Sequence, residues 1–173
     1  MIKIFPIFAS FVLLLGSVQA EPIQANSYLT KAYPLYSTQY DPRRDPFVDG
    51  KAAIELATKT QRRILIEVGG DWCKWCHILD KFIKSDSQIE KTLHKTFVVL
   101  KVNVSDENSN EKFLSSFPKT LGYPHMYVTE SAGRVVHSQD TGEFLVKLKY
   151  SKQKFMAFLN KWQTKPVSEV ANK

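Results

Sequence analysis

The chain predicts an α/β fold in which a mixed central sheet is flanked by helices on both faces, and three observations carry that reading. Two strongly apolar runs, Ile64 to Val68 and Phe97 to Val104, are separated by helical periodicity, as in buried parallel strands joined by a crossover. Two later runs, His125 to Val128 and Val135 to His137, flank the turn residues Ser131-Ala132-Gly133-Arg134 and predict an antiparallel hairpin. Phe155, Phe158, Leu159 and Trp162 recur at helical spacing and supply a terminal amphipathic helix. The resulting order is helix, strand, helix, helix, strand, helix, strand, strand, helix. A mixed sheet satisfies both its parallel and its antiparallel demands.

At 173 residues, 43% apolar and 24% charged, the chain suits one ordinary domain. That composition excludes a large multidomain enzyme, a disordered segment and a multispanning membrane protein. The formal charge of +7 is modest and its positive residues are scattered, so nucleic acid is not an expected partner. A monomer is expected. Lys3, the apolar run Ile4 to Leu15 and Val18-Gln19-Ala20 read as a signal peptide over residues 1–20, which implies export and a periplasmic location. An uncleaved anchor competes, although the apolar run is shorter than the roughly 17 to 25 residues of a spanning helix.

Residues 21–47 form an N-terminal extension in which Pro22, Pro34, Pro42 and Pro46 interrupt any long helix, and Tyr28, Tyr33, Tyr36 and Tyr40 cluster. Asp41 to Pro46 reads as a turn, with Asp49 the cap of a helix whose inner face is Ala53, Leu56, Ala57 and Thr60. Arg62 and Arg63 then stand near the negative end of that helix. After the first strand, Gly69, Gly70 and Asp71 lead into a helix marked by Cys76, Leu79, Phe82 and Ile83. Ser85 to Gln88 has capping-box spacing, and Ile89 and Leu93 extend a second helix. Asn108 to Phe117 predicts another, with Asn108 and Glu111 at capping spacing, before Pro118, Gly122 and Pro124 impose irregular chain. The domain is expected over 48–165, with a tail over 166–173.

The chemistry centres on Gly69-Gly70-Asp71-Trp72-Cys73-Lys74-Trp75-Cys76-His77. Cys73 and Cys76 are the two cysteines of the chain and can form one local bridge. A loop so short adds little chain-entropy stabilisation, so the pair reads as chemistry rather than scaffolding. Cys73 at the helix start meets unpaired N–H groups that favour a thiolate, and is expected to be exposed. Cys76 lies one turn deeper on the apolar stripe. These positions assign Cys73 as nucleophile and Cys76 as the resolving residue. Lys74 adds positive charge, while Trp72 and Trp75 offer apolar surface. Glu67 within an apolar strand should have a raised pKa and can relay a proton to or from Cys76. A lysine partner or a sheet-edge position for Glu67 is the alternative.

The sequence Trp72-Cys73-Lys74-Trp75-Cys76 after a strand, with Gly122-Tyr123-Pro124 entering a later one, resembles the thioredoxin-like superfamily over roughly residues 48–164. The variant is more similar to exported or periplasmic members allied to the C-terminal domain of the bacterial transmembrane disulfide reductase. The resemblance implies a thioredoxin-like fold and a protein thiol:disulfide oxidoreductase, acting as reductase or isomerase. It implies a cis Pro124 facing Cys73 and a buried acid at Glu67. The implied substrate groove is lined by Trp72, Lys74, Trp75, Tyr123 and His125, with His125 tuning thiolate charge. Partners would be cysteine-containing exported proteins and a membrane or soluble redox-recycling partner, with neither cofactor nor metal. Lys74-Trp75 replaces the frequent Gly-Pro, His125 stands where Thr is common, and Gly69-Gly70 replaces bulkier residues.

Three other readings compete. Cys73-Lys74-Trp75-Cys76-His77 spells a c-type haem attachment pattern, with His77 an axial ligand and Met126 or His125 opposite. Zinc could take Cys73 and Cys76 with two of His77, His94, His125 and His137. A binding module with a structural disulfide is the third.

Overall fold

The computed structural model describes residues 36–164. The expected signal peptide over 1–20, residues 21–35 of the expected extension, and residues 165–173, which include the expected tail over 166–173, lie outside the described residues. The elements are α1 (Pro46–Thr60), β1 (Arg63–Gly69), α2 (Lys74–Lys84), α3 (Ser87–Thr96), β2 (Phe97–Asn103), α4 (Glu111–Leu114), β3 (His125–Thr129), β4 (Val135–Asp140), β5 (Leu145–Val146), β6 (Lys149–Tyr150) and α5 (Lys152–Lys161).

The main sheet has the order β2-β1-β3-β4. β1 and β2 run parallel with Ile64 opposite Val98 and Glu67 opposite Lys101. β3 is antiparallel to both β1 and β4. This is the expected mixed sheet. Alternation along the strands divides the core in two. Leu65, Val99, Met126 and Val128 face α2, α3 and α5 in one layer, where Phe155 and Leu159 are fully buried. Ile64, Ile66, Val68, Val98, Leu100 and Tyr127 face Ala53 and Ala57 of α1 in the other. Aromatic rings lock the first layer: Phe155 meets Phe82 and Phe144 edge to face at 5.6 and 5.1 Å, and Phe97 stacks on Phe158 at 6.2 Å. Each ring so buried stabilises the fold by roughly 1.5–3 kcal/mol.

Several local expectations are corrected. α1 begins at Pro46, not after Asp49: Asp45 is the N-cap and accepts from the Phe47 N–H, while Pro46 takes the first helical position, where a missing N–H costs nothing. Asp49 is instead a buried acid that accepts from Nε and Nη2 of the Arg44 guanidinium at 2.6 and 2.7 Å and from the Tyr36 hydroxyl at 2.8 Å. Arg62 serves two helix ends: its Nε donates to Thr60 Oγ1 in the last turn of α1, while its Nη1 donates to the carbonyls of His94 and Phe97, capping α3. α4 is a single turn, because Asn110 adopts a left-handed conformation before it and the Asn108 side chain donates to Pro42 O and accepts from Asn110 N–H. β4 reaches Asp140, beyond His137, and the β5–β6 hairpin has no counterpart in the expected element order.

Residues 36–45 form a strap across the domain. Ser37 N–H donates to Val99 O on the edge strand β2, at 3.2 Å, and Asn108 holds Pro42. This partly covers a sheet edge that would otherwise present unpaired backbone groups.

His94, buried on α3, has its pKa lowered from 6.5 to about 4 by burial and then by Arg62. A depressed pKa contributes stability that is fully present above pH 6.5 and is lost as pH falls towards 4. Urea midpoints measured between pH 7 and pH 4 should therefore fall less in His94→Leu than in the parent chain. An equal fall would show that His94 does not carry the acid sensitivity.

Candidate redox site

Cys73 and Cys76 are joined as a disulfide at the start of α2. Cys73 is the N-cap, with extended backbone and φ −85°, and its Sγ accepts the Cys76 N–H at 3.1 Å. A sulfur there meets the orphan N–H groups of the first turn. In the disulfide form Cys73 is 3% exposed and Cys76 0%, which corrects the expectation of an open Cys73. The turn Gly70 to Cys73 folds back over the bridge through Cys73 N–H to Gly70 O, and Trp72 crosses it to donate from Nε1 to Val104 O at 2.6 Å.

The two glycines before the motif are explained by close approach. A β-carbon on Gly70 would lie 2.4 Å from Trp72 Nε1 and 2.8 Å from Val104 O. On Gly69 it would lie 2.5 Å from Cys76 Sγ and 2.8 Å from the Tyr40 hydroxyl. Side chains at these positions would displace the indole or the sulfur.

Glu67 lies on β1, inside the sheet rather than at its edge, and is 2% exposed. Tyr40 Oη donates to its Oε1 at 2.6 Å, and Lys101 Nζ stands 3.6 Å away. The same ammonium donates to both oxygens of Asp80 at 2.5 and 2.6 Å. Burial raises the Glu67 pKa, and Asp80 adds to the rise; Lys101 and the Tyr40 bond oppose it. The expected buried acid and the lysine-partner alternative therefore coexist. Lys101, Asp80 and Tyr40 are the site residues that sequence reasoning missed. Lys101 carried a signal, as the single charge inside the apolar run Phe97 to Val104.

The Tyr123-Pro124 bond is cis. Tyr123 packs edge to face on Trp72 at 5.6 Å, and Trp75 does the same on Tyr150 at 6.1 Å. Trp75, Tyr123, Pro124 and Tyr150 line a cleft of about 140 Å³. Trp72 is 60% exposed, and Lys74 is exposed at the start of α2. His125 departs from the expectation. It is 1% exposed, shares the sheet face of Tyr127 and Val68 rather than that of Glu67, and bonds Ser138 Oγ at 2.8 Å. Strand alternation turns it away from the groove, and burial lowers its pKa, so it adds no positive charge beside Cys73. His77 bends back to Asp71 O at 2.6 Å.

Fold and site together define a thioredoxin-fold protein with a disulfide-forming Cys-x-x-Cys pair. The chain belongs to the Thioredox_DsbH family, described as "Protein of unknown function, DUF255", which it matches over residues 24–163. It is similar to a structure described as a disulphide isomerase from Xylella fastidiosa Temecula1, with 27% identity and a TM-score of 0.61 over 70% of this chain and 94% of that one. The oxidised C-terminal domain of Neisseria meningitidis DsbD shares the fold at 14% identity and a TM-score of 0.52, over 69% of this chain and 97% of that one. A Citrobacter koseri thiol:disulfide interchange protein DsbD is 31% identical over 78 residues, 45% of this chain; the match spans 14% of that relative's length.

Because Glu67 has a raised folded-state pKa, its contribution to stability is fully present below its ordinary value of 4.5 and is lost as pH rises through the folded-state value. Glu67→Gln should remove that loss. Unfolding free energies measured from pH 4 upward should show the variant gaining on the parent as pH rises; a constant gap would deny the raised pKa.

Proposed function

We propose that the protein is an exported thiol:disulfide oxidoreductase whose Cys73-Cys76 pair exchanges with cysteine-containing proteins. The observation that carries this reading is the pair's position: a disulfide at a helix N-terminus, over a buried acid and beside an exposed aromatic rim. Export rests on the leader pattern of residues 1–20, ahead of an extension and a domain over 48–165.

Cys73 thiolate attacks a partner disulfide and one partner sulfur leaves as a thiolate. Cys76 then loses its proton and attacks Cys73 Sγ, releasing the second partner thiol and closing the Cys73-Cys76 bridge. The partner gains two electrons and the pair loses two. A dithiol reductant, soluble or membrane-bound, returns them. The N-cap bond from Cys76 N–H to Cys73 Sγ supports Cys73 as the nucleophile, and complete burial supports Cys76 as the resolving residue. Pro124 and Tyr123 border the groove in which a partner strand would lie, with Trp72, Trp75 and Lys74 as its rim.

The reductase or isomerase direction is favoured. Lys74 and the helix terminus stabilise the Cys73 thiolate, whereas the tight enclosure of the pair and the Glu67 carboxylate oppose it. With His125 removed from the favourable side, the pair lacks one cation that would make it a strong oxidant. Equilibration in glutathione buffers, read by tryptophan fluorescence, should give a potential below about −120 mV and near about −200 mV or lower. A value near about −120 mV would assign the oxidase direction instead.

The reading as a whole is tested by trapping. Cys76→Ala incubated with disulfide-bonded exported proteins should accumulate a mixed disulfide through Cys73, and Cys73→Ala should not. Absence of any trapped species would favour a binding module, and trapping through Cys76 would reverse the roles.

A further inference from the structure

We propose that Tyr40 is the proton conductor between Glu67 and Cys76, so that a residue of the N-terminal strap completes the redox site. The proposal rests on the exchange reading given above and adds a group from outside the strand and helix that carry the pair. Its geometry is direct. The Tyr40 hydroxyl donates to Glu67 Oε1 at 2.6 Å. It also shares with Cys76 Sγ the niche left by the missing side chain of Gly69, the hydroxyl 2.8 Å and the sulfur 2.5 Å from the same point. The hydroxyl and the sulfur that must gain or lose a proton thus converge on one space, and the hydroxyl is bonded to the carboxyl that can supply or take that proton.

A phenol in that place can pass a proton without holding a charge. Burial, and then Glu67, push the Tyr40 pKa well above 10.0, so an isolated phenolate is not formed and two protons move together. When a dithiol reduces the pair, its thiolate attacks Cys73 Sγ and the Cys73-Cys76 bond breaks. Cys76 leaves with the electron pair and takes the Tyr40 proton, and Tyr40 takes the Glu67 proton. The second reductant sulfur then displaces Cys73, and the reductant ends as a disulfide. In resolution the same protons run in reverse, from the Cys76 thiol to the Glu67 carboxylate.

The charged and titratable groups around this path come from three elements: Lys101 on β2, Asp80 on α2 and Tyr150 on β6. Lys101 Nζ also lies 4.6 Å over the Tyr40 ring, which fixes the ring's plane and holds positive charge beside the carboxyl. Glu67 further lines a small cavity of about 40 Å³ together with Lys84, Glu90 and His94. The strap holds Tyr40 in register through Ser37 to Val99 and Tyr36 to Asp49.

Tyr40→Phe keeps the ring and its contact with Lys101 and deletes the conductor. The test is reduction of the full chain's disulfide by dithiothreitol, followed by tryptophan fluorescence, with rates normalised to thiolate concentration across pH. This reaction needs no protein partner, so failure to trap partners and failure of the conductor are separate results. In the parent chain the normalised rate should fall as Glu67 loses its proton. Tyr40→Phe should be slower by roughly tenfold or more at low pH and flat, meeting the parent at high pH. Glu67→Gln should trace the same flat profile, and the double variant should be no slower than either. Tyr36→Phe, which removes another strap hydroxyl, controls for loosened anchoring and should keep the parent profile. A parent-like rate and pH profile in Tyr40→Phe overturns the proposal, as does an equal loss in Tyr36→Phe.

Discussion

Glu67 on an inner strand, with 2% of its surface exposed, is the group to which the site is fitted. An ionised carboxylate there is expensive unless charge and hydrogen bonds are brought to it, and partnering it requires burying more polar groups. The chain meets this from four directions. β2 places Lys101 opposite it in the parallel register, and α2 supplies Asp80 to hold that ammonium. The strap contributes the Tyr40 hydroxyl, and β6 brings Tyr150 alongside. Asp80 stands one helical turn beyond Cys76, so the element that carries the sulfur also carries the carboxylate that holds the acid's counter-charge, Lys101, in place. Register, helix placement and strap anchoring are thereby tied to one carboxyl group.

The same economy of space explains the backbone before the motif. Gly69 ends β1 where Cys76 Sγ and Tyr40 Oη converge, and Gly70 lies under the Trp72 indole. These glycines depart from the bulkier residues usual in thioredoxin-like chains because the volume they vacate is filled from elsewhere in the sequence. The aromatic residues divide accordingly. Phe82, Phe144, Phe155 and Phe158 interlock inside, whereas Trp72 and Trp75 remain partly exposed with their edges held by Tyr123 and Tyr150. Each indole is restrained by a ring from a distant segment, which keeps exposed apolar surface beside the enclosed cysteines.

Much of this was legible from periodicity and punctuation. The strands around Leu65, Val99 and Met126 announce themselves as apolar runs, and the Phe155 to Trp162 stripe marks the last helix. Misreadings arose where a residue served a distant partner. Asp49 has the chemistry of a cap, yet Asp45 and Pro46 start the helix and Asp49 is committed to Arg44 and Tyr36. Arg62 sits at the end of one helix and caps another. His125 adjoins Pro124 in sequence, but the two-residue alternation of a strand puts it on the far face. For the site, the cysteines and Glu67 are local signals. Tyr40 carries none, since only the path of the strap brings residue 40 to the end of β1.

The two cysteines stand about one helical turn apart, and their bonded sulfurs have unlike neighbours. Cys73 Sγ faces a backbone N–H at a helix terminus, a fixed dipole that favours negative charge at any pH. Cys76 Sγ borders the space at Gly69 to which the Tyr40 hydroxyl also comes, and that hydroxyl is bonded to a carboxyl whose protonation changes with pH. On the proposed roles this is the division that exchange demands. A nucleophile must be a thiolate before its partner arrives, which a permanent dipole secures. A resolving sulfur must stay a thiol until the mixed disulfide forms and lose its proton only then, which requires an acceptor close by whose own charge is costly. A buried glutamate balanced between desolvation and Lys101 is such an acceptor. A fully solvated carboxylate would be too weak a base, and a fully neutralised one would have no affinity for the proton.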